Sequence, residues 1–307
     1  MLLPDQNLPP VAPSTIDPNT QPEQTKELRE DDSIPTSLPN LIHDNPSTDK
    51  PLIEILEIKD PSPISQPAHP VVFHFMRHGE AYNNIKTGPN RYKVKDPGLT
   101  PNGKLQCERA RRIFPLESNI RVILCSPMTR AIETTLITFQ DVLESGKVRA
   151  TADSSFRERG KGESSTGSPL AEIKEKYGEY IDFDALVLPG WEVNTEKSAA
   201  ARARKVKRQL FNFAKSVQEK IRDGEIVTSK DVPYEIAIVS HAAFLKTMLV
   251  KELGGCRKTK KKFHGFYNAE IKSFSFDTID GPAGVEYSFT QTAESKKRKP
   301  ALRVVAL

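Results

Sequence analysis

Three short apolar runs stand out along the chain, and each breaks into polar residues at its C-terminal end. Val71-Val72-Phe73-His74-Phe75-Met76 leads into Arg77-His78-Gly79-Glu80. Val122-Ile123-Leu124-Cys125 leads into Ser126-Pro127-Met128-Thr129-Arg130, and Ile236-Ala237-Ile238-Val239 into Ser240-His241. Nearly continuous apolar runs suit strands covered on both faces, as in parallel sheets. Helical stretches separate them. Thr100-Pro101 offers an N-cap followed by Pro at the first helical position and predicts a helix over 101–113; Ser126-Pro127 repeats that signal before 127–139. A long helix is expected over about 195–222, with Val206, Leu210, Phe213, Val217 and Ile221 on one stripe, and another from His241 to Gly254-Gly255. Residues 265–277 alternate like an antiparallel edge strand that 285–289 would pair with. There are no internal repeats. The alternation predicts an α/β three-layer sandwich, a mostly parallel central sheet with helices on both faces.

Composition divides the chain. Residues 1–68 hold 12 acids against four bases, whereas the rest holds 41 bases against 28 acids, and the first 70 residues carry 14 of the 24 prolines. Such a segment buries too little apolar surface to offset the entropy of ordering. The expected organisation is a disordered acidic Pro/Ser-rich tail over 1–68, one globular domain over 69–292 and a basic tail over 293–307. No apolar run approaches the ~20 residues needed to span a bilayer, and Met1-Leu2-Leu3-Pro4-Asp5 lacks a basic segment followed by an apolar one. Three cysteines, Cys107, Cys125 and Cys256, share no ligand spacing, which points to a reducing compartment and away from a disulfide scaffold or zinc finger. A cytoplasmic location is expected. Lys296-Lys297-Arg298-Lys299-Pro300 resembles a nuclear localisation patch, so the nucleus is a second possibility.

Ligands of open α/β sheets bind at the carboxyl ends of the strands, so Arg77, His78, Arg130 and His241 are expected to converge. Two guanidiniums, two imidazoles and helix N-termini make a site for a doubly charged, oxygen-rich anion, and phosphate is the natural candidate. An imidazole that acts as nucleophile must be neutral, and adjacent arginines favour that form. The second imidazole is expected to stay protonated and to donate to the phosphoryl oxygens. A carboxylic acid would protonate the leaving oxygen, with Glu80, Glu133, Glu158 and Glu163 as candidates.

These motifs resemble those of the histidine phosphatase superfamily, the phosphoglycerate-mutase-like fold, and specifically its first branch. The matching residues are Arg77-His78-Gly79-Glu80 with Asn84 four residues on; Leu99-Thr100-Pro101-Asn102-Gly103-Lys104-Leu105-Gln106; Ser126-Pro127-Met128-Thr129-Arg130-Ala131-Ile132-Glu133-Thr134; Phe156-Arg157-Glu158; and Val239-Ser240-His241. The resemblance implies a phosphohistidine on His78. It implies phosphate binding by Arg77, Arg130 and His241, a polar contact from Asn84, and proton donation by Glu158. Glu163-Ser164-Ser165-Thr166-Gly167-Ser168-Pro169 looks like the segment after the acid in fungal members. The pattern departs at Ala242-Ala243, where the family usually has glycine after the second histidine, and at Phe156, which replaces Leu. Ala242 excludes the His-Asp arrangement of the second branch. Glu158-Arg159-Gly160-Lys161-Gly162 lacks the Glu-His-Tyr-Gly pattern of true mutases, which favours hydrolysis.

The expected activity is therefore hydrolysis of a phosphomonoester, on a small phosphorylated substrate or a phosphoprotein, with no metal or organic cofactor. The alternatives are a mutase-type phosphotransferase and a weakly active, phospho-ligand-binding regulatory protein. His74 and His78 lie four apart on one strand without a third ligand at suitable spacing, so His74 reads as a packed strand residue rather than a zinc ligand. Arg202, Arg204, Lys205, Lys207 and Arg208 read as the wet face of the long helix, and Lys258–Lys262 as a solvated loop able to steer anions. Neither basic run is interleaved with stacking aromatics, so nucleic acid is not expected. Trp191 reads as a packing aromatic.

Overall fold

A computed structural model describes residues 70–85, 93–114, 119–160, 162–192, 199–229, 232–254, 265–281 and 284–298. The tail expected over 1–68, the run 258–262, Cys256 and the end of the chain from 299 lie outside these residues. The described chain builds one seven-stranded sheet in the order β4-β3-β2-β5-β1-β6-β7. The strands are β1 (Val71–Arg77), β2 (Ile120–Cys125), β3 (Ala150–Asp153), β4 (Ile181–Leu186), β5 (Tyr234–Ser240), β6 (Ile271–Gly281) and β7 (Gly284–Gln291). The five from β4 to β1 are mutually parallel, while β6 runs antiparallel to both β1 and β7. The helices are α1 (Pro101–Ile113), α2 (Thr129–Thr138), α3 (Gln140–Glu144), α4 (Leu170–Tyr177), α5 (Ala199–Arg222), α6 (Ala242–Met248) and α7 (Ala293–Lys297).

Both faces of the central strands are buried, which is why the runs that form them read as continuously apolar. Phe73, Phe75, Leu124, Ile236 and Ile238 share a core with Val206, Leu210, Phe213 and Val217 of α5 and with Phe244, Leu245 and Met248 of α6. The alternate positions, among them Met76, Ile123, Cys125, Ala237 and Val239, are equally buried, and on that side the His74 ring meets Phe114, just beyond α1, edge-on at 4.9 Å. This is the expected three-layer α/β sandwich. His74 is the packed strand residue expected, held by Ser273 Oγ at 2.8 Å and facing Glu235 at 3.5 Å.

Several boundaries differ from the expectation. Ser126 does not cap a helix: α2 begins at Thr129, and its first turn is satisfied by Asp96, whose carboxylate accepts from Thr129 N (3.1 Å) and Thr129 Oγ1 (2.9 Å). The helix after His241 ends at Met248, with turns from there to Gly254 in the left-handed region (φ 76°). The stretch 265–270 is a loop rather than strand, and β6 is not the edge, since β7 covers it. The fold also runs past 292. Thr292 caps α7, the buried Ser295 hydroxyl accepts from Ser273 N at 2.9 Å, and Arg298 lies 4.9 Å over the Phe114 ring. The start of the expected basic tail thus packs on β6.

The connection out of β1 is pressed against the first turn of α1. Thr100 caps α1, its Oγ1 accepting from Gly103 N at 2.9 Å, while Thr100 N donates to Glu80 O at 2.9 Å. A Cβ at Gly103 would stand 1.9 Å from Glu80 O. Gly103→Ala is therefore expected to lower stability by about 1–3 kcal/mol through overpacking, read as a lower urea midpoint at unchanged slope. An unchanged midpoint would mean that this contact is loose.

Candidate active site

The carboxyl ends of β2, β5 and β1 are adjacent and level: Arg77 pairs with Ser240, and Cys125 with Val239. His78 N donates to Ser240 O (3.0 Å) and Ser126 N to Val239 O (2.9 Å), so the ladder carries on into the polar clusters. As a result His78 and His241 face each other with ring centroids 5.1 Å apart. Both are buried, as is Arg130.

The His78 ring has a defined proton. Its Nδ1 lies 2.6 Å from Gly79 O. A carbonyl oxygen can only accept, so Nδ1 carries the hydrogen and, in the neutral ring, Nε2 holds the lone pair. Burial first, then the charges of Arg130 and Arg77, hold the His78 pKa well below the ordinary histidine value. Burial also drives His241 well below it, followed by the charge of Arg130. Two buried rings beside two guanidiniums thus both favour the neutral form in the site as it stands. His241 Nε2 lies 2.9 Å from Ser126 Oγ, and its Nδ1 has no partner among the described residues.

The arginines have few partners in the protein. Arg77 Nη1 donates to Phe266 O at 3.1 Å, and Arg130 Nη1 donates to Ser164 O at 3.1 Å. Neither forms an ion pair among the described residues, and both leave a buried Nε without a partner. Burial lowers the pKa of each, with the nearby charge of Glu158 acting in the opposite direction. Buried donors left unmade by the protein are costly. Arg77 Nε and Arg130 Nε are two such donors, and His241 Nδ1 is a third unpartnered nitrogen among the residues gathered at these strand ends.

The four candidate acids are told apart by their partners. Glu80 Oε1 accepts from Thr100 Oγ1 (3.0 Å) and Asn102 Nδ2 (3.1 Å). Glu133 accepts from Leu99 N (2.7 Å) and Tyr177 Oη (3.1 Å). Glu163 is exposed on a single turn of 3-10 helix. Glu158 is half-buried, and its Oε1 accepts from Arg159 N (2.8 Å) and from Phe244 N (3.2 Å) in the first turn of α6. It is also the acid whose charge reaches both Arg77 and Arg130. Ala242 and Ala243, which replace the family's glycine, open α6 and are half-buried.

Asn84 closes a single 3-10 turn after the loop that carries His78, its Oδ1 accepting from Ala81 N (3.2 Å) and Asn268 Nδ2 (3.1 Å). The amide oxygen being taken, the Nδ2 side is the half that can donate to a substrate. Sequence reasoning passed over Asn268, which also reaches His78 O at 3.3 Å; it stands between the basic run Lys258–Lys262 and β6 with no local pattern. The turn bearing it is shaped by Ala269 in the left-handed region (φ 54°), whose N–H donates to His78 O at 3.2 Å. The Thr134 hydroxyl accepts from Gly79 N at 3.0 Å and donates to Arg130 O at 2.6 Å, coupling the segments that carry His78 and Arg130. Of the basic residues read as the wet face of their helix, Arg204, Lys205 and Arg208 are exposed, whereas Arg202 turns inward onto the segment that carries Glu158.

Comparison with known proteins gives the family. The profile of the histidine phosphatase superfamily (branch 1) matches residues 73–283, and the chain belongs to that family. Similar solved structures include an Entamoeba histolytica phosphoserine phosphatase in complex with 3-phosphoglyceric acid, at 21% identity over 73% of this chain and 98% of that one, with a TM-score of 0.40. A mycobacterial glucosyl-3-phosphoglycerate phosphatase matches at 17% identity over 73% and 98% of the two chains, TM-score 0.44. The ecdysone phosphate phosphatase of Bombix mori matches at 14% over 72% and 92%, TM-score 0.43. A comparison with curated proteins finds no significant match.

Proposed function

We propose that this protein is a phosphatase that hydrolyses a phosphomonoester through a phosphohistidine on His78. The observation that carries this reading is the 2.6 Å bond from His78 Nδ1 to Gly79 O, which reserves Nε2 as a lone-pair nucleophile between two arginines. In the proposed reaction Arg77, Arg130, the Nδ1–H of His241 and the amide of Asn84 hold the phosphoryl oxygens. For His241 this requires the Ser126 hydroxyl to donate to Nε2, which fixes the ring proton on Nδ1. A neutral donor then suffices, and the arriving dianion raises the ring's affinity for a second proton.

His78 Nε2 attacks phosphorus in line as the bond to the leaving oxygen breaks, and Glu158 gives that oxygen its proton. Glu158, now a carboxylate, next takes a proton from water as the water oxygen attacks phosphorus. The P–N bond breaks, phosphate leaves, and His78 and Glu158 return to their starting states. Positioning and charge stabilisation carry the chemistry. The test is incubation with p-nitrophenyl phosphate in EDTA: release of inorganic phosphate is expected, with inhibition by vanadate. Vanadate binding without turnover on a broad substrate panel would instead establish a phospho-ligand-binding protein.

The low pKa of His78 sets a pH dependence. The nucleophile is the deprotonated ring, so lowering its pKa keeps it competent as pH falls through the ordinary histidine range near 6.5. The acid limb of kcat/KM, which reports the free enzyme, is therefore expected to lie well below pH 6.5. An acid limb centred near 6.5 that is lost with His78 would show that burial and the two arginines do not hold the ring neutral.

A further inference from the structure

We infer that Arg202 is the positioning residue for the proton donor, fixing the segment Ser155–Glu158 at the mouth of the phosphate site. The inference rests on the reading of Glu158 as the acid and deepens it. After β3 the chain leaves the sheet, and the residues that lead to Glu158 have no ladder to hold them. Asp153 Oδ1 accepts from Ser155 N (2.7 Å) and Ser240 Oγ donates to Phe156 O (2.7 Å), which secures the beginning of the segment. The remaining carbonyls converge on one guanidinium. Arg202 Nη1 donates to Ser155 O (2.6 Å) and Arg157 O (2.7 Å), and Nη2 reaches Glu158 O at 3.3 Å. Three acceptors gathered from four consecutive residues match a planar fork of donors and do not match the point charge of a lysine.

The same guanidinium lies 4.3 Å from the centre of the Phe244 ring, which Phe156 in turn meets edge-on, at 6.4 Å and 84°. Phe244 is the residue whose backbone N–H donates to Glu158 Oε1. Arg202 therefore grips both the main chain of the acid and the residue that orients its carboxyl group. Both hydrogen bonds to that carboxyl fall on Oε1, so Oε2 is the oxygen turned over to proton transfer. The placement runs against the preference of the helix itself: Arg202 lies in the first turn of α5, which contains no acid, and a cation there opposes the helix dipole. Phe156, a departure from the family's leucine, gains a reason as the ring that backs Phe244.

A misplaced acid damages expulsion of a poor leaving group far more than that of a good one, because p-nitrophenolate departs with little need of a proton. The experiment measures kcat/KM, which covers the steps up to leaving-group departure, for p-nitrophenyl phosphate and for β-glycerol phosphate. Arg202→Met is expected to lose about 10²–10³-fold on the alkyl ester and about tenfold or less on the aryl ester, with the inhibition constant for vanadate unchanged. Glu158→Gln is expected to show the same discrimination, and the double variant to be no slower than Glu158→Gln. Equal losses on both esters, or losses that add in the double variant, would overturn the role. Where Arg202→Met gives no cooperative melt, Arg202→Lys decides, since it keeps the charge and stem and loses only the fork: a smaller discrimination of the same sign supports the inference, and none overturns it. Wild-type enzyme inactive on both esters would instead remove the phosphatase reading, and the inference with it.

Discussion

Replacing His78 by alanine is expected to abolish turnover, lowering kcat for p-nitrophenyl phosphate by about 10⁴-fold or more, the scale seen when a covalent nucleophile is removed. The other groups of the site cannot take over: His241 is the nearest imidazole, yet its Nε2 is engaged with Ser126, and neither guanidinium is a nucleophile. The loop should keep its place, because its anchors are backbone atoms that alanine retains. His78 N still donates to Ser240 O, and His78 O still accepts from Ala269 N and Asn268 Nδ2. Only the bond to Gly79 O and the ring's packing disappear, a loss of a few kcal/mol at most. Vanadate should still bind, more weakly, through Arg77, Arg130 and His241. Rapid acid-free quench of wild type with labelled substrate should trap protein-bound phosphorus that is lost in acid and stable in alkali, as a phosphoramidate is. The variant should trap none. Turnover that survives His78→Ala undiminished would leave the covalent mechanism without its central atom.

What the sequence reveals of this fold follows from burial. β1, β2 and β5 are covered on both faces and therefore read as apolar runs, whereas β3 is only Ala-Thr-Ala-Asp and β4 alternates Ile-Asp-Phe-Asp at the edge; neither is distinctive in the chain. The convergence of Arg77, His78, Arg130 and His241 was legible because the strand ends carry them directly. The proposed choice of Glu158 was not legible from spacing and came with the family pattern. What supports it is tertiary: capping of α1 engages Glu80, and Leu99 N with Tyr177 Oη engages Glu133. Ser126 misled for a related reason. Ser-Pro is a fair capping signal, but Asp96, thirty-three residues before Thr129, caps α2 and frees the serine for His241. Arg202 was hidden because an arginine on an amphipathic helix looks the same whether it meets water or a carbonyl cluster 44 to 47 residues away. Patterns along the chain report burial, and long-range polar pairing leaves no period to detect.

Arg130→Met should separate catalysis from stability, because it is expected to move them in opposite directions. Arg130 is 1% exposed and pairs with no carboxylate among the described residues; its protein partners are Ser164 O and, at 3.4 Å, the sulfur of Met128. A buried cation so sparsely matched is expensive, and a methionine of similar length removes that cost while filling the space. The folded state should gain about 1–2 kcal/mol, less whatever the Ser164 contact contributes, and the urea midpoint should rise. Activity should fall by about 10³–10⁵-fold in kcat/KM, the scale on which an arginine at a transferring phosphoryl group acts. The histidines supply a third readout. Arg130 is the largest charge effect holding both His78 and His241 below the ordinary histidine value, after burial itself. Its removal must raise both pKa values, so the acid limb of residual activity should shift to higher pH, and a histidine NMR titration should show the same direction. The order of the two effects matters. A site kept for stability would hold Arg130 against a carboxylate, and its loss would unfold the protein while leaving the rate constant of the surviving enzyme intact. Lower stability with unchanged kcat/KM would therefore assign the guanidinium to the core and dismiss it from the phosphate site.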